Sequence, residues 1–240
     1  GSELALVARG DVYVVDAKSG KTRRITATAQ AERSVGFSPD GRKLLYASDR
    51  QVDWDLFESR LVRAGDSGFV EAADIEETVL LDTDTDLLQP LYSPQGNKVA
   101  YREGRNALKV LDIASGAIVE VLPDSAAYSY SEGDQSHAWS PDGAYLTTST
   151  GFALGNPEVV VIDAATGARH NLSVNGFSDA APQFSRDGTL LYWQSDRFSM
   201  RQLDSQTETI DVVGAFLSRE GDEAFAQGRP VASGPVDFDG

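Results

Sequence analysis

The sequence of 240 residues contains no cysteine, and its only histidines are His137 and His170. The lack of cysteine excludes disulfides, thiol nucleophiles and thiolate metal sites, although it leaves the cellular compartment open. With so few nitrogen ligands we expect no metal site and no cofactor. No apolar run approaches the roughly 20 residues of a transmembrane helix, the longest being short stretches such as Val159–Ile162. We therefore expect no membrane insertion.

Basic residues are also scarce. The chain has 21 lysines and arginines against 37 aspartates and glutamates, which gives a formal net charge of −16 at pH 7. Such a charge repels phosphate backbones and anionic lipid surfaces, so we expect no nucleic-acid partner. The simplest role of the excess charge is solubility, and an acidic face that recruits a cationic ligand is the alternative.

The chain does contain a repeated phrase, an aromatic residue followed by Ser-Pro-Asp-Gly or a close variant. Its four copies are Phe37–Gly41, Tyr92–Gly96, Trp139–Gly143 and Phe184–Gly188. The serines at positions 38, 93, 140 and 185 are 55, 47 and 45 residues apart. Periods of about 40 to 50 residues are typical of propeller blades and of some helical arrays.

The chemistry of the phrase favours blades. Proline sets the first corner of a type I turn, aspartate suits the second, and glycine accepts the positive φ that follows. Short segments rich in β-branched and aromatic residues come next and predict strands. They occupy residues 43–49, 98–104, 145–151 and 190–196.

A second phrase recurs between the copies of the first and predicts two further strands joined by a glycine-containing hairpin turn. It occupies residues 14–26, 110–122 and 161–173. Each unit thus supplies four antiparallel strands. A sheet of this size cannot bury both apolar faces alone, so we expect an all-β chain, a β-propeller in which the blades stack around an axis. The repeated aromatic side chain is then expected to pack between blades.

The repeats predict about five blades in one domain that spans residues 3–240, after a tag remnant at residues 1–2. The approximate blades are residues 3–30, 31–84, 85–131, 132–177 and 178–240. The first is incomplete, because residues 4–16 match a second and a third strand. In the last blade, residues 211–218 predict a third strand, residues 219–228 a short helical insertion and residues 236–240 a fourth strand.

The repeats leave two alternatives for how the blades form a ring. Five blades could close a small ring or form part of a six- or seven-bladed ring. An open ring would expose two apolar blade faces, each representing roughly 10 kcal/mol of burial. Self-association through those faces is then expected.

Several longer phrases resemble a known family. The turns followed by "YASDR" are similar to those of TolB-type (WD40-like) propellers. The phrases "LALVARGDVYVVDAKSGKTRRIT", "GDQSHAWSPDG" and "LYWQSDRFSMR" resemble the second propeller of tricorn-protease-like peptidases. The resemblance covers nearly the whole chain. It implies a non-catalytic part of a large serine peptidase whose catalytic domain is separate, and no catalytic residue matches here.

A direct search for chemistry gives no catalytic residue. The segment "AGDSGF" at 64–69 is similar to the nucleophile loop of chymotrypsin-like proteases, but both histidines follow Ser67 and Phe69 replaces the second glycine. We interpret the segment as a surface turn. Asp82, Asp84 and Asp86 alternate as in calcium loops, but the glycine and glutamate of such a loop are missing, so an acidic turn is expected.

Propellers usually bind partners with the loops around the channel mouth. The turns after the second strands and the connections between blades supply the candidate residues. These are Arg33, Asp49, Arg50, Arg102, Arg105, Gln135, Asp196 and Arg197. The alternative for the repeated Asp-Arg pairs is that local ion pairs hold the loops.

The sequence and the resemblance together predict a propeller segment of a tricorn-like serine peptidase that guides or gates peptide substrates without cleaving them. Its partners would be peptides or other domains of the parent protein. The alternative is a stand-alone TolB-like propeller that acts as a protein-binding scaffold, and a small enzyme at the channel mouth comes third. The family resemblance implies a periplasmic location, with the cytoplasm as the alternative.

Overall fold

A computed structural model describes residues 2–50, 52–128, 135–151, 156–198 and 210–228. Their regular elements are β-strands, one 3-10 turn at Asp124–Ala126 and one helix, α1, at Arg219–Ala226. The strands form five antiparallel sheets of three or four strands, which confirms the all-β class and is consistent with propeller blades. The chain divides into two compact units, residues 1–118 and 119–240.

The first unit is built on three sheets whose strands lie in sequence order. Sheet 1 comprises β1 (Glu3–Ala8), β2 (Asp11–Asp16) and β3 (Thr22–Arg24). Sheet 2 comprises β4 (Glu32–Phe37), β5 (Lys43–Ser48), β6 (Asp55–Leu61) and β7 (Ile75–Leu81). Sheet 3 comprises β8 (Leu87–Tyr92), β9 (Lys98–Glu103), β10 (Ala107–Asp112) and β11 (Ile118–Leu122), and β11 begins at the boundary between the units.

The second unit contains two sheets. Sheet 4 comprises β12 (His137–Trp139), β13 (Tyr145–Thr150), β14 (Glu158–Asp163) and β15 (Arg169–Asn171). Sheet 5 comprises β16 (Asp179–Phe184), β17 (Leu190–Ser195) and β18 (Asp211–Phe216), and α1 follows it. The third strand and the helix predicted in the last blade are present. The strand predicted at 236–240 lies outside the described residues.

Each Ser-Pro-Asp-Gly turn joins the first two strands of a sheet. The glycines have φ between 68° and 75°, and in the first turn the Gly41 amide donates to the Ser38 carbonyl. The Ser38 hydroxyl donates to Asp40 at 2.6 Å and accepts from the Lys43 amide at 2.9 Å. Because the hydroxyl of Ser38 and the amide of Arg42 bind this carboxylate, the pKa of Asp40 is lowered. The phrase therefore fixes its own hairpin.

The second phrase forms hairpins in the same local way. An aspartate at the end of the third strand accepts hydrogen bonds from the backbone amide three residues later, which closes the turn. The amide–carboxylate distances are 2.7 Å for Ser19 on Asp16, 2.9 Å for Ser115 on Asp112 and 2.7 Å for Thr166 on Asp163. In sheet 1 this turn joins β2 to β3. That strands β1 to β3 are the second to fourth strands of an incomplete blade stays a prediction.

The first strand of three sheets contains a bulge that the sequence does not announce. The register shifts after Arg33 in β4, after Leu88 in β8 and after Ala180 in β16. In each bulge a residue four positions before the turn serine has a left-handed backbone: Ser34, Gln89 and Ala181, with φ of 57°, 51° and 52°. A bulge bends the strand and increases its twist.

Sheet 2 is buried on both faces. Alternate residues of β5 point in opposite directions, so Leu44 and Tyr46 pack with Val12 and Val14 of sheet 1. Leu45 and Ala47 pack instead with residues of sheet 3 that include Tyr92. Phe37 packs in the first of these clusters. The repeated aromatic residue thus lies between sheets, as predicted.

In the second unit the core forms between sheets 4 and 5. Val159 and Val161 of β14 pack against Leu191 and Trp193 of β17, and the repeated aromatic Phe184 packs beside them. The Trp193 indole donates to the buried carboxylate of Asp179 at 3.0 Å. Burial of the indole is therefore combined with a satisfied N–H group.

The outer face of sheet 1 exposes apolar side chains. Leu4 is 61% exposed and Leu6 is 40% exposed, and they lie opposite Val15 and Tyr13 on β2. Self-association through this face stays a prediction. In the part of the chain that the structure describes, no helix is long and apolar enough to cross a membrane.

Candidate functional site

Asp49 and Asp196 hold the loops that enter sheets 2 and 5. The Ala31 amide donates to the Asp49 carboxylate at 2.7 Å, while the Asp49 amide donates back to the Ala31 carbonyl at 3.2 Å. Asp196 makes the same pair of bonds with Ser178, at 2.8 and 3.2 Å. Both carboxylates therefore tie the start of a first strand to the end of a second strand.

Arg50 forms the centre of a partly buried ionic cluster at one end of sheet 2. Its guanidinium donates to the Glu32 carboxylate at 3.0 and 3.2 Å and also binds both oxygens of Glu77. The side chain of Glu32 is fully buried, whereas Arg50 is 16% exposed. The guanidinium also lies over the Phe57 ring, 4.6 Å from its centroid. Arg50 is thus engaged inside the fold.

Three hydroxyl groups complete the surroundings of Glu32. Thr26, Thr28 and Ser48 donate to its carboxylate at 2.8, 3.0 and 3.2 Å. The Thr26 hydroxyl in turn accepts from the Val12 amide at 2.8 Å, so the network ties sheet 1 to sheet 2. A buried carboxylate is tolerated only when it is paired and hydrogen-bonded in this way.

Tyr46 extends the network to the outer strand of sheet 2. Its hydroxyl shares a hydrogen bond with Ser59 at 2.8 Å and donates to Glu77. Burial and the Glu77 carboxylate raise the pKa of Tyr46, so its hydroxyl remains a donor. Burial alone would raise the pKa of Glu77, but the hydrogen bonds from Arg50 and Tyr46 outweigh burial and lower it. Glu77 therefore stays ionised.

The lowered pKa of Glu77 predicts a pH-dependent stability. Its folded pKa lies below the ordinary value of 4.5, so this carboxylate stabilises the fold above about pH 4.5, and the stabilisation is lost as the pH falls through the folded value. We expect the unfolding free-energy difference between wild type and Glu77→Gln to be constant above about pH 5 and to shrink below it. Urea unfolding of both proteins between pH 3 and 7 measures this free-energy difference.

The neighbouring Glu76 supplies the control for this pH experiment. Its side chain is 47% exposed and pairs with Arg60, which is 51% exposed. Exposed pairs of this kind contribute little to stability. Glu76→Gln should therefore leave the pH profile close to that of wild type. A Glu77→Gln difference that stays constant down to pH 3 would contradict the role assigned to Glu77.

The other candidate residues of the first unit are placed differently from Arg50. Arg33 is exposed on β4, with its guanidinium 4.4 Å from the centroid of the Trp54 ring. Arg105 is exposed in the connection between β9 and β10. Arg102 is only 1% exposed and donates to the Asn106 carbonyl at 2.7 Å. Of these three arginines, Arg33 and Arg105 are exposed to solvent and Arg102 is buried.

The second unit holds Gln135 and Arg197. Gln135 is half-buried, and no group among the described residues donates a hydrogen bond to its side-chain oxygen. Arg197 is exposed, its amide donates to the Ser195 hydroxyl at 3.2 Å, and its guanidinium lies 5.6 Å from the Phe198 ring centroid.

The "AGDSGF" segment is more than the surface turn that the sequence predicts. Ser67 is exposed, but Phe69 is fully buried in the cluster between sheets 1 and 2. The Phe69 and Val70 amides donate to the Glu3 carboxylate at 2.9 and 2.8 Å. Amide donors such as those of an oxyanion hole are thus present, and Glu3 occupies them.

A cleft of about 330 Å³ opens beside this loop. It is lined by Ser2, Glu3, Ser67 and the turn residues Phe37–Gly41. Because β4 runs from Glu32 to Phe37, this cleft and the Arg50 cluster lie at opposite ends of sheet 2. Within the described ranges, no group of three or more histidine, cysteine or acidic side chains is placed to hold a metal ion.

Comparison with known proteins finds no matching family model. An uncharacterized protein of Agrobacterium fabrum is 24% identical over 229 residues, which cover 94% of this chain and 70% of that protein. The tricorn protease structure matches 99% of this chain with a TM-score of 0.70 and 14% identity. The fold is that of the tricorn-type and TolB-like propellers.

Two TolB structures support the likeness to TolB-like propellers. TolB from Acinetobacter baumannii matches 90% of the chain, with a TM-score of 0.61 and 16% identity. A putative TolB from Agrobacterium tumefaciens matches 90%, with a TM-score of 0.58 and 14% identity. The present propeller chain spans 50% of the first TolB chain, 78% of the second and 23% of the tricorn protease chain.

The sequence indicates the loops around Asp49 and Asp196 but not the partners of Arg50. Glu32, Glu77 and Tyr46 come from three different strands, and Glu3 contacts a loop 66 residues away in sequence. For the glutamates the only signal in the sequence is a charged residue within a β-prone segment, such as Glu77 in "IEETVLL". Such a residue marks a buried pair only after the strands are assigned.

Proposed function

We propose that this propeller chain is the non-catalytic, peptide-guiding part of a tricorn-like serine peptidase. The observation that supports the proposal most strongly is the likeness to the tricorn protease over 99% of the chain, which amounts to 23% of that larger protein. Glu3 already binds the amides of the protease-like loop, which argues against acyl transfer at Ser67. The chain would then contact peptides and leave cleavage to another domain.

Exposed arginines are the proposed peptide contacts, Arg33 and Arg105 in the first unit and Arg197 in the second. Arg33, Arg105 and Arg197 are solvent-exposed at strand ends and connections, whereas Asp49, Asp196 and Arg50 are bound within their own sheets. In a chain with a net charge of −16, exposed guanidinium groups can hold a peptide carboxylate or carbonyl without a strong general attraction for anions.

A charge-matched comparison tests this proposal. The double variant Arg33→Ala, Arg105→Ala of the first unit should bind a fluorescein-labelled, unstructured decapeptide with a free carboxylate about tenfold more weakly, since two exposed contacts contribute roughly 1.4 kcal/mol together. The control variant removes the exposed Arg60 and Arg63 of the same unit. Fluorescence anisotropy measures binding, and mass spectrometry should find the peptide intact.

Two outcomes would contradict the proposal. Equal losses in the two double variants would show that binding follows total charge. Cleavage of the peptide would show that the chain is itself an enzyme.

A protein-binding scaffold is the second candidate. It is favoured by the match to the putative TolB from Agrobacterium tumefaciens, 78% of which this chain covers. A periplasmic location goes with this proposal. The coding sequence after Gly240 distinguishes the two candidates, because a serine-containing catalytic domain there supports the peptidase and a stop codon supports the scaffold.

A further inference from the structure

The loop formed by residues 67–70 binds a carboxylate with backbone groups alone. The Phe69 amide donates to one oxygen of Glu3 at 2.9 Å and the Val70 amide to the other at 2.8 Å. Successive amides that converge on one anion form a nest, a recurring site for carboxylates. We propose that this loop is a carboxylate-binding site that Glu3 occupies in cis and that a ligand carboxylate can occupy in its place.

The loop is held in shape by contacts that do not involve Glu3. Phe69 is fully buried and Val70 is 7% exposed, both within the core between sheets 1 and 2. The Arg23 guanidinium donates to the Phe69 and Ala72 carbonyls, and the Ala72 amide donates to the Phe69 carbonyl at 3.4 Å. The two amides therefore stay in place when Glu3 withdraws, and a preorganised site costs little to occupy.

Gly68 provides the space for the carboxylate. A Cβ atom on Gly68 would lie 2.5 Å from the Oε1 atom of Glu3 and 2.6 Å from its carboxyl carbon. The φ of Gly68 is not in the left-handed region, so this glycine is required for close approach and not for its backbone conformation. Replacing Gly68 by alanine thus closes the site without straining the chain.

The chemistry of the cleft limits the ligand. Two amide donors match the two oxygens of one carboxylate, and the Phe37 ring and Pro39 line the adjacent space of about 330 Å³. Asp40 in the cleft wall and Asp66 beside the loop disfavour a second negative charge. The ligand class is therefore a monocarboxylate with an apolar group, either a peptide C-terminus or an acidic side chain.

Occupation by a ligand excludes Glu3 from the nest. Binding of a ligand carboxylate is thus coupled to release of the start of β1 from the loop, because this carboxylate and that of Glu3 compete for one site. This site does not depend on the function proposed above, because it lies at the other end of sheet 2 from Arg33.

Titration of the Glu3→Ala variant tests the site. Acetyl-leucine should shift the NMR signals of the Phe69 and Val70 amides with a Kd of about 1–10 mM, whereas acetyl-leucinamide should not. Acetyl-glutamate α-amide carries only a side-chain carboxylate, whereas acetyl-leucine carries only a terminal one. The acid that binds more tightly therefore shows whether the ligand is an acidic side chain or a peptide C-terminus. Wild type should need at least tenfold more ligand, and Glu3→Ala with Gly68→Ala should show no shift.

Three results of this titration would overturn the site. Absence of a shift in Glu3→Ala, an equal shift with the amide, or an equal affinity in wild type would show that the loop does not bind ligand carboxylates. If Glu3→Ala is unfolded in chloride but folds in acetate at the same ionic strength, the nest is supported. If it stays unfolded in both salts, the loop is not preformed and the inference fails.

Discussion

Replacing Arg50 by alanine is expected to destabilise the first unit by about 3–5 kcal/mol, because it leaves a buried carboxylate without its cation. Glu32 is fully buried at its side chain and accepts from Arg50 at 3.0 Å. The Thr26, Thr28 and Ser48 hydroxyls would remain, but three neutral donors do not compensate a buried charge. The free energy of unfolding in urea measures the loss.

Two further variants separate the buried pair from a general effect of removing an arginine. Arg60→Ala breaks an exposed pair with Glu76 and should cost about 0–1 kcal/mol. The double variant Arg50→Met, Glu32→Gln removes the fully buried carboxylate together with its cation and should be less destabilised than Arg50→Ala, since only the partly exposed Glu77 is left without its cation. An Arg50→Ala protein as stable as Arg60→Ala would show that Glu32 tolerates burial unpaired.

The turns and strands could be predicted from the sequence because their causes are local. Proline, aspartate and glycine in the first phrase fix a hairpin within five residues, and the bonds of Ser38 with Asp40 and Lys43 complete it. Where Gln95 replaces the aspartate, the Ser93 hydroxyl bonds instead with Asn97 at 3.1 Å. The turn thus survives a substitution that weakens its sequence signal.

The bulges could not be predicted, because nothing in the local sequence marks them. Ser34, Gln89 and Ala181 have left-handed backbones, which elsewhere favour glycine or asparagine. Their conformation is set by the adjacent strand and by neighbouring sheets. Tertiary packing outweighs the residue's own preference here.

The ionic cluster escaped prediction for a related reason. Arg50 reaches Glu32 across 18 residues and Glu77 across 27, so the partners meet only after the sheet of β4 to β7 has formed. Asp49 and Arg50 both make the contacts expected of a structural pair, but each residue has a different partner. Asp49 binds a backbone amide, and Arg50 binds distant glutamates.

Phe69→Ala should be the second strongly destabilising change, with an expected loss of about 3–5 kcal/mol. Phe69 lies in the long connection between β6 and β7, yet it is fully buried and packs against Phe37 with ring centroids 5.9 Å apart. Val70 and Ala72 of the same connection lie in this cluster with Val12 and Val14 of sheet 1. The connection therefore fills the space between two sheets, and truncation of Phe69 leaves a cavity there.

The same substitution at an exposed phenylalanine gives the matched control. Phe225 on α1 is 67% exposed and contacts the Phe216 ring at 5.1 Å, so Phe225→Ala should cost at most about 1 kcal/mol. Amide hydrogen exchange should also become faster in β2 of Phe69→Ala, because sheet 1 loses packing on its inner face. Equal losses in the two variants, with β2 protection unchanged, would mean that Phe69 does not hold sheet 1 against sheet 2.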